Sequence, residues 1–184
     1  MGLEAYTVLL TPRSSSPLVI GHYAASIQSL VSEMQREWPD IHRDEEEHLC
    51  QPYPPQREEA FLFYETRLGL FQIMLTPHRE GVTASVRFAY CNPRSVYRPF
   101  TSVIAWLMEQ YGMCGYTMAS DRSQELNDPY AVLTVLTPSM DYNRHLWQLD
   151  AGTSEEAILS PGRAIERFIL PRCLSAAPAL SVQT

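Results

Sequence analysis

The clearest pattern of hydrophobic and polar positions runs through residues 59–90, and a period of two is most evident in its last third. In residues 82–90 apolar side chains alternate with mostly polar ones, which is the period of a strand buried on one face. Residues 60–65 and 70–75 are rich in aromatic and branched side chains, which favour strands, and short turn-forming segments separate the three runs. The pattern predicts an antiparallel meander of three strands, with Val86 and Phe88 buried.

Two amphipathic segments flank the meander. Residues 21–38 and 96–110 repeat their apolar side chains at spacings of three and four, which predicts helices that each bury one face. Trp106 falls on the apolar face of the second helix, so we expect it to be buried. Shorter patterns predict strands at residues 5–10, 115–119 and 130–136, an irregular stretch at 141–152 and a helix at 161–169, where Ser160 and Pro161 have the form of an N-cap and first turn.

These elements predict an α+β fold in a single domain of residues 1–172, followed by a loose C-terminal tail of residues 173–184. The domain has an antiparallel sheet with two long helices on one face and a short C-terminal helix. An antiparallel sheet can leave its other face to water or to a partner, and Arg87 would lie on that mostly polar face.

Residues 40–59 break every periodic pattern, because they combine three prolines, an acidic run and few aliphatic side chains. They predict a long exposed loop, and loops beyond about 12–15 residues in compact domains tend to be functional. Asp44, Glu45, Glu46 and Glu47 form its acidic run. Trp38 borders the loop, and an aromatic side chain beside charged ones is typical of an interface hot spot.

The composition favours a protein partner over a nucleic acid. The chain has 184 residues, with 21 acidic and 14 basic side chains and a formal charge of −7. A nucleic-acid binder needs a basic face, whereas an acidic domain is complementary to a basic protein. Every basic residue is arginine, so a Walker-type phosphate-binding lysine and Schiff-base chemistry are excluded for this sequence.

Targeting signals and local cofactor motifs are missing from the sequence. Its apolar runs fall short of the roughly 18 residues that span a bilayer, and its first residues lack the basic region of a secretory signal. The four cysteines form no CxxC pair. We therefore expect a cytoplasmic protein with reduced thiols, no cofactor, no bound metal and no membrane association.

One cluster of histidine and acidic residues keeps an enzyme as an alternative interpretation. If residues 44–50 were helical, Asp44 and His48 would share a face and, with His42, could hold a metal ion for a metal-dependent hydrolase. The spacing does not match HExxH, and the sequence contains neither GxSxG nor GxGxxG. We therefore predict a protein that binds a partner and has no enzyme activity. A metal-dependent hydrolase and a structural adaptor remain the two alternatives.

Several segments carry a resemblance to a known family. They are YTVLL at residues 6–10, FLFYETRLGLFQIML at 61–75, WLMEQY at 106–111, HLWQLDAG at 145–152 and the following AILSPGRAIERFI. With them the chain resembles the immunity proteins of bacterial polymorphic toxin and type VI secretion systems, nearest to the immunity protein 52 family, which is paired with a restriction-endonuclease-like DNase toxin.

The resemblance implies a non-enzymatic cytoplasmic inhibitor that binds a cognate nuclease toxin and protects the cell that produces it. In that case the acidic run would steer the toxin and an aromatic side chain would anchor it. The side chains expected to contact the toxin are Trp38, Asp40, Asp44, Glu45, Glu46, Glu47, Tyr53 and Arg87.

Overall fold

The computed structural model describes residues 5–13, 27–43, 59–66, 69–78, 81–90, 92–117 and 124–151. The strands are β1 (Ala5–Pro12), β2 (Ile41–Arg43), β3 (Ala60–Thr66), β4 (Gly69–His78), β5 (Gly81–Ala89), β6 (Met113–Thr117) and β7 (Gln124–Leu126). The helices are α1 (Ile27–Glu37), α2 (Tyr97–Gln110) and α3 (Val132–Ala151). All seven strands form one antiparallel sheet in the order β2-β3-β4-β5-β1-β6-β7.

One face of the sheet forms the hydrophobic core with the helices. The register places Phe71 of β4 opposite Phe88 of β5, and both rings are fully buried. Phe100 of α2 packs on both rings, at centroid distances of 5.6 Å from Phe71 and 5.2 Å from Phe88. Buried side chains of α1 and α3 belong to the same cluster. The predicted α+β fold, with an antiparallel sheet and helices on one face, is confirmed.

The predicted meander is confirmed as β3, β4 and β5. Within β5 the buried Ala84, Val86 and Phe88 alternate with half-buried positions as the period of two required, and Val86 and Phe88 are both fully buried. The helix predicted at residues 96–110 is observed as α2, and Gly112 follows it with a φ of 58°, a conformation that glycine adopts without strain. Helix α1 coincides with the described part of the other predicted helix.

The strand predicted at residues 130–136 is wrong, because a short 3-10 turn at Pro129–Ala131 leads there into helix α3. The branched side chains favoured a strand, but Val132, Leu136 and Met140 repeat at a spacing of four and are all buried against the core. Tertiary packing therefore overrides the local preference. The irregular stretch predicted at residues 141–152 is also wrong, since α3 continues to Ala151.

The two strands at the ends of the sheet are three residues long, and neither was predicted. Strand β2 lies inside the predicted loop of residues 40–59. It forms because Ile41 pairs with Tyr64 of β3 and is buried, with 2% of its surface exposed. The rest of that loop, the predicted helix at 161–169 and the predicted tail lie outside the described residues.

A buried asparagine joins the start of β4 to the end of β5. The side-chain nitrogen of Asn92 donates to the backbone oxygens of Leu70 and Ala89, at 2.7 Å and 3.0 Å. Its side-chain oxygen accepts from the N–H of Leu70 at 2.9 Å. Gly69 leaves room for this contact, because an added Cβ would lie 2.6 Å from the Asn92 oxygen and 2.5 Å from a methyl group of Val96.

The opposite face of the sheet is less polar than predicted. Among the described residues, no helix covers it. Gln72 and Arg87 lie opposite each other on this face, as expected. Beside them, however, the register aligns a row that is largely apolar and runs across five strands: Phe61, Met74, Ser85, Leu9 and Tyr116.

Candidate partner-binding surface

Two tryptophans meet at the C-terminal ends of α1 and α2. Trp38 directly follows α1, and its backbone N–H donates to the oxygen of Met34 at 2.8 Å. Its ring contacts Trp106 edge to face, with centroids 5.0 Å apart and ring planes at 88°. Both rings pack against the core yet are only half-buried, so the expectation that Trp106 is a buried core residue is wrong.

Tyr111 extends this aromatic pair and ties it to α1. Its ring lies 5.3 Å from that of Trp106, and its hydroxyl donates to an oxygen of Glu33 at 2.6 Å. Burial raises the pKa of Tyr111 well above its ordinary value, and the Glu33 carboxylate adds to the shift because a phenolate there would be repelled. The bond holds the ends of the two helices in a fixed relation.

Several carboxylates lie on the same helix ends as the aromatic rings. Glu33 and Glu37 are four residues apart on α1 and so share one side of the helix. Glu109 lies one turn beyond Trp106 on α2, where its carboxylate accepts a hydrogen bond from the Tyr130 hydroxyl at 2.9 Å. Arg36 is a basic side chain on the same helix as Glu33 and Glu37. Its charge lowers the pKa of Tyr111, but this effect is smaller than the opposite effects of burial and Glu33. We call this set the acidic-aromatic surface; its residues are Glu33, Glu37, Trp38, Asp40, Trp106, Glu109 and Tyr111.

Helix ends add to the negative potential of the acidic-aromatic surface. Both α1 and α2 end here, and the C-terminus of a helix carries a partial negative charge from its unpaired carbonyl groups. The last turn of α2 contains no basic side chain. The surface therefore offers carboxylates, helix C-termini and indole rings, all of which attract cations.

The structure places the predicted contact residues in two separate regions. Trp38 and the exposed Asp40 belong to the acidic-aromatic surface on the helix side. Arg87 lies on the other face of the sheet, opposite Thr7 and Gln72, so it is not brought together with Trp38. The remaining predicted residues lie outside the described part of the chain: Asp44, Glu45, Glu46, Glu47 and Tyr53.

Strand β2 connects the acidic-aromatic surface to the predicted acidic run. Asp40 precedes the strand and Arg43 ends it, directly before Asp44. Three residues of strand span about 10 Å. Arg43 is the last described residue before the acidic run, which itself lies outside the described residues.

The residues of the alternative metal site are only partly described. His42 is exposed on β2, opposite Phe63, while Asp44 and His48 lie outside the described residues. Within the ranges that the structure describes, no three side chains of His, Cys, Asp or Glu are placed to hold a metal ion. The hydrolase site stays a prediction.

Comparison with known proteins finds no matching family model, no matching curated protein and no matching solved structure. The resemblance to immunity proteins thus stands on the sequence segments alone. In the described ranges, no helix has both the length and the apolar character needed to cross a membrane.

The buried tyrosines predict a loss of stability in alkaline solution. Burial, followed by the nearby Asp141 carboxylate, raises the pKa of Tyr97 to about 12, and the pKa of Tyr111 is raised too. In the unfolded chain both phenols titrate near 10. A pKa that is higher in the folded state contributes stability that is complete below about pH 10 and is lost as the pH rises through the folded value.

We therefore expect the urea midpoint of the wild type to fall between about pH 8 and about pH 11. The variants Tyr97→Phe and Tyr111→Phe should each show a smaller fall, because they lack one of the phenols that must stay protonated. An equal fall in all three proteins would show that other groups cause the alkaline loss.

Proposed function

We propose that this protein is a cytoplasmic immunity protein that binds a cognate nuclease toxin and neutralises it by protein contact, without catalysis. The observation that carries the proposal is the acidic-aromatic surface at the ends of α1 and α2. A nuclease needs basic groups to hold DNA, so an acidic inhibitor surface is complementary to it.

The geometry suits recognition of a protein. Interface hot spots are enriched in tryptophan and tyrosine, set among more polar residues that exclude water. Trp38 is already held by its backbone hydrogen bond to Met34 and by its contact with Trp106. Because the ring is held before the partner arrives, little side-chain freedom remains to be lost on binding.

Charge and aromatic contact would act at different stages of binding. Exposed carboxylates act at a distance and raise the association rate, and salt screens them beyond about 8 Å at physiological ionic strength. An aromatic contact in the centre of an interface forms only after docking, so it mainly sets the dissociation rate.

We expect simultaneous replacement of Glu45, Glu46 and Glu47 by Gln to slow association with the toxin by about tenfold at low salt and to flatten its salt dependence. The toxin to use is a nuclease whose gene adjoins the gene of this protein, with association followed by stopped-flow fluorescence. Glu125→Gln is a control, because it removes an exposed carboxylate at the far edge of the sheet. An unchanged association rate for the triple variant would contradict steering by the acidic run.

We expect Trp38→Ala to raise the dissociation rate of the same complex by about 10- to 100-fold, with little change in the association rate. A surface-bound toxin would report both rates, and circular dichroism would show whether the variant stays folded. If the folded variant dissociates at the wild-type rate, Trp38 is not an anchor.

A further inference from the structure

We propose that the acidic-aromatic surface receives an arginine side chain of the partner, with the guanidinium stacked on the outer side of the Trp38–Trp106 pair. The proposal rests on the proposed function for the nature of the partner, a basic protein, and it adds which chemical group that partner presents. The occupant is therefore an arginine-bearing segment of a basic protein.

The ring geometry decides where such a group can lie. Trp38 and Trp106 are in edge-to-face contact at 5.0 Å, so no gap remains between them for a ligand. Tyr111 contacts Trp106 at 5.3 Å and is buried, which closes that side too. A ligand must lie on the surface that the two half-buried indoles leave open, where a cation within about 6 Å of a ring centroid is attracted by the ring face.

The surrounding charges select a cation. Glu37, Asp40 and Glu109 are exposed and Glu33 is half-buried, and Arg36 in the last turn of α1 offsets part of their charge. A purely apolar partner would strip water from these carboxylates without replacing its hydrogen bonds, which is costly. An anionic partner would be repelled by the carboxylates and by both helix ends.

Arginine fits this combination better than lysine. A guanidinium is planar, so it stacks on an indole and still directs its N–H groups outward in the plane to neighbouring carboxylates. A lysine ammonium is a compact and strongly hydrated charge, so it gains less from an aromatic face. The proposal thus predicts a preference between two side chains of equal charge.

The test uses the full ¹⁵N-labelled chain and an end-capped Gly-Arg-Gly-Arg-Gly peptide at low salt. The chain has three tryptophans, so its indole N–H signals report on each ring separately after assignment with Trp→Phe variants. We expect the signals of Trp38 and Trp106 to shift in a saturable way and that of Trp147 to stay in place. The lysine counterpart should bind about threefold more weakly or worse. The uncharged citrulline counterpart should cause no shift.

Charge variants supply the matched comparison. Glu37→Gln combined with Glu109→Gln should weaken binding of the arginine peptide about fivefold, because the pair removes two negative charges from the acidic-aromatic surface. Both side chains are exposed, so the variant is expected to fold. The amide introduced by Glu109→Gln can still accept the hydrogen bond from the Tyr130 hydroxyl. Glu125→Gln makes the same change of charge on β7 and should leave binding as in the wild type.

Three results would overturn the proposal: equal binding of the lysine peptide, equal weakening by Glu125→Gln, or an equal shift of the Trp147 signal. Failure here is separable from failure of the proposed function. If the toxin is neutralised but the peptide does not shift the two signals, the arginine site falls and the immunity function stands. If the peptide binds as expected but no nuclease is neutralised, the immunity function falls and the arginine site stands.

Discussion

Replacement of Phe100 by Ala is expected to lower the free energy of unfolding by about 3–5 kcal/mol, which is the usual cost of removing a buried phenylalanine. The ring has no exposed surface and packs on Phe71 and Phe88, the opposed pair at the centre of the sheet. The space left behind would border two rigid strands, so it can close only partly, and the cavity adds to the loss of buried apolar surface.

Urea unfolding followed by circular dichroism measures this effect. Ser102→Ala is the control, because Ser102 is exposed on the same helix and its replacement should change stability by no more than about 0.5 kcal/mol. A loss below about 2 kcal/mol for Phe100→Ala would mean that α2 moves to fill the space. In that case α2 would be packed less tightly against the sheet than the contacts of Phe100 indicate.

Replacement of Asn92 by Ala is expected to lower the free energy of unfolding by about 3 kcal/mol. The Asn92 side-chain amide accepts from the N–H of Leu70 and donates to its C=O. It thus makes the two hydrogen bonds that the backbone of a paired residue on a neighbouring strand would make. Without the Asn92 side chain, the N–H and C=O of Leu70 stay buried but lose these two hydrogen bonds. A buried polar group without a partner costs about 1–3 kcal/mol. The Ala89 oxygen loses the bond from the Asn92 side chain but keeps the one from the backbone N–H of residue 92. The cost at Ala89 is therefore smaller than at Leu70.

Hydrogen exchange locates this effect as well as measuring it. The N–H of Leu70 should exchange faster in Asn92→Ala, while amides in the middle of β4 keep their relative protection. Asn92→Asp should be at least as damaging, because a carboxylate cannot donate to the two carbonyl oxygens. Ser95→Ala, at an exposed neighbouring position, should be nearly neutral. If Asn92→Asp keeps wild-type stability, donation by the amide does not hold this joint.

The sequence predicted what depends on local periodicity. The alternation through β5 identified which side of the meander is buried, and the spacing of three and four identified α1 and α2. The same logic failed at Val132, because a run of branched side chains favours a strand until packing against the core decides for a helix. Strand β2 was missed because its only local signal is Ile41, whose role depends on pairing with Tyr64.

The candidate site was only half predictable for a related reason. Trp38 was singled out by its place beside an acidic segment, and that signal is local. Trp106, Tyr111 and Glu33 were missed as its companions, because they meet Trp38 only when the ends of α1 and α2 lie side by side. The apolar pattern of each helix shows that it packs on a sheet, but not which helix end faces which.

The brevity of the two outermost strands among the described residues limits how readily the sheet could pair with another copy of the chain. Long flat edges recruit strands from other copies, and this edge-to-edge growth leads to aggregates. Here β2 and β7 have three residues each, and each covers only the middle or the end of a longer neighbour. Further strand addition would find few backbone groups in line at either edge. The described sheet is therefore poorly suited to edge-to-edge pairing, which leaves side-chain surfaces as its means of recognition.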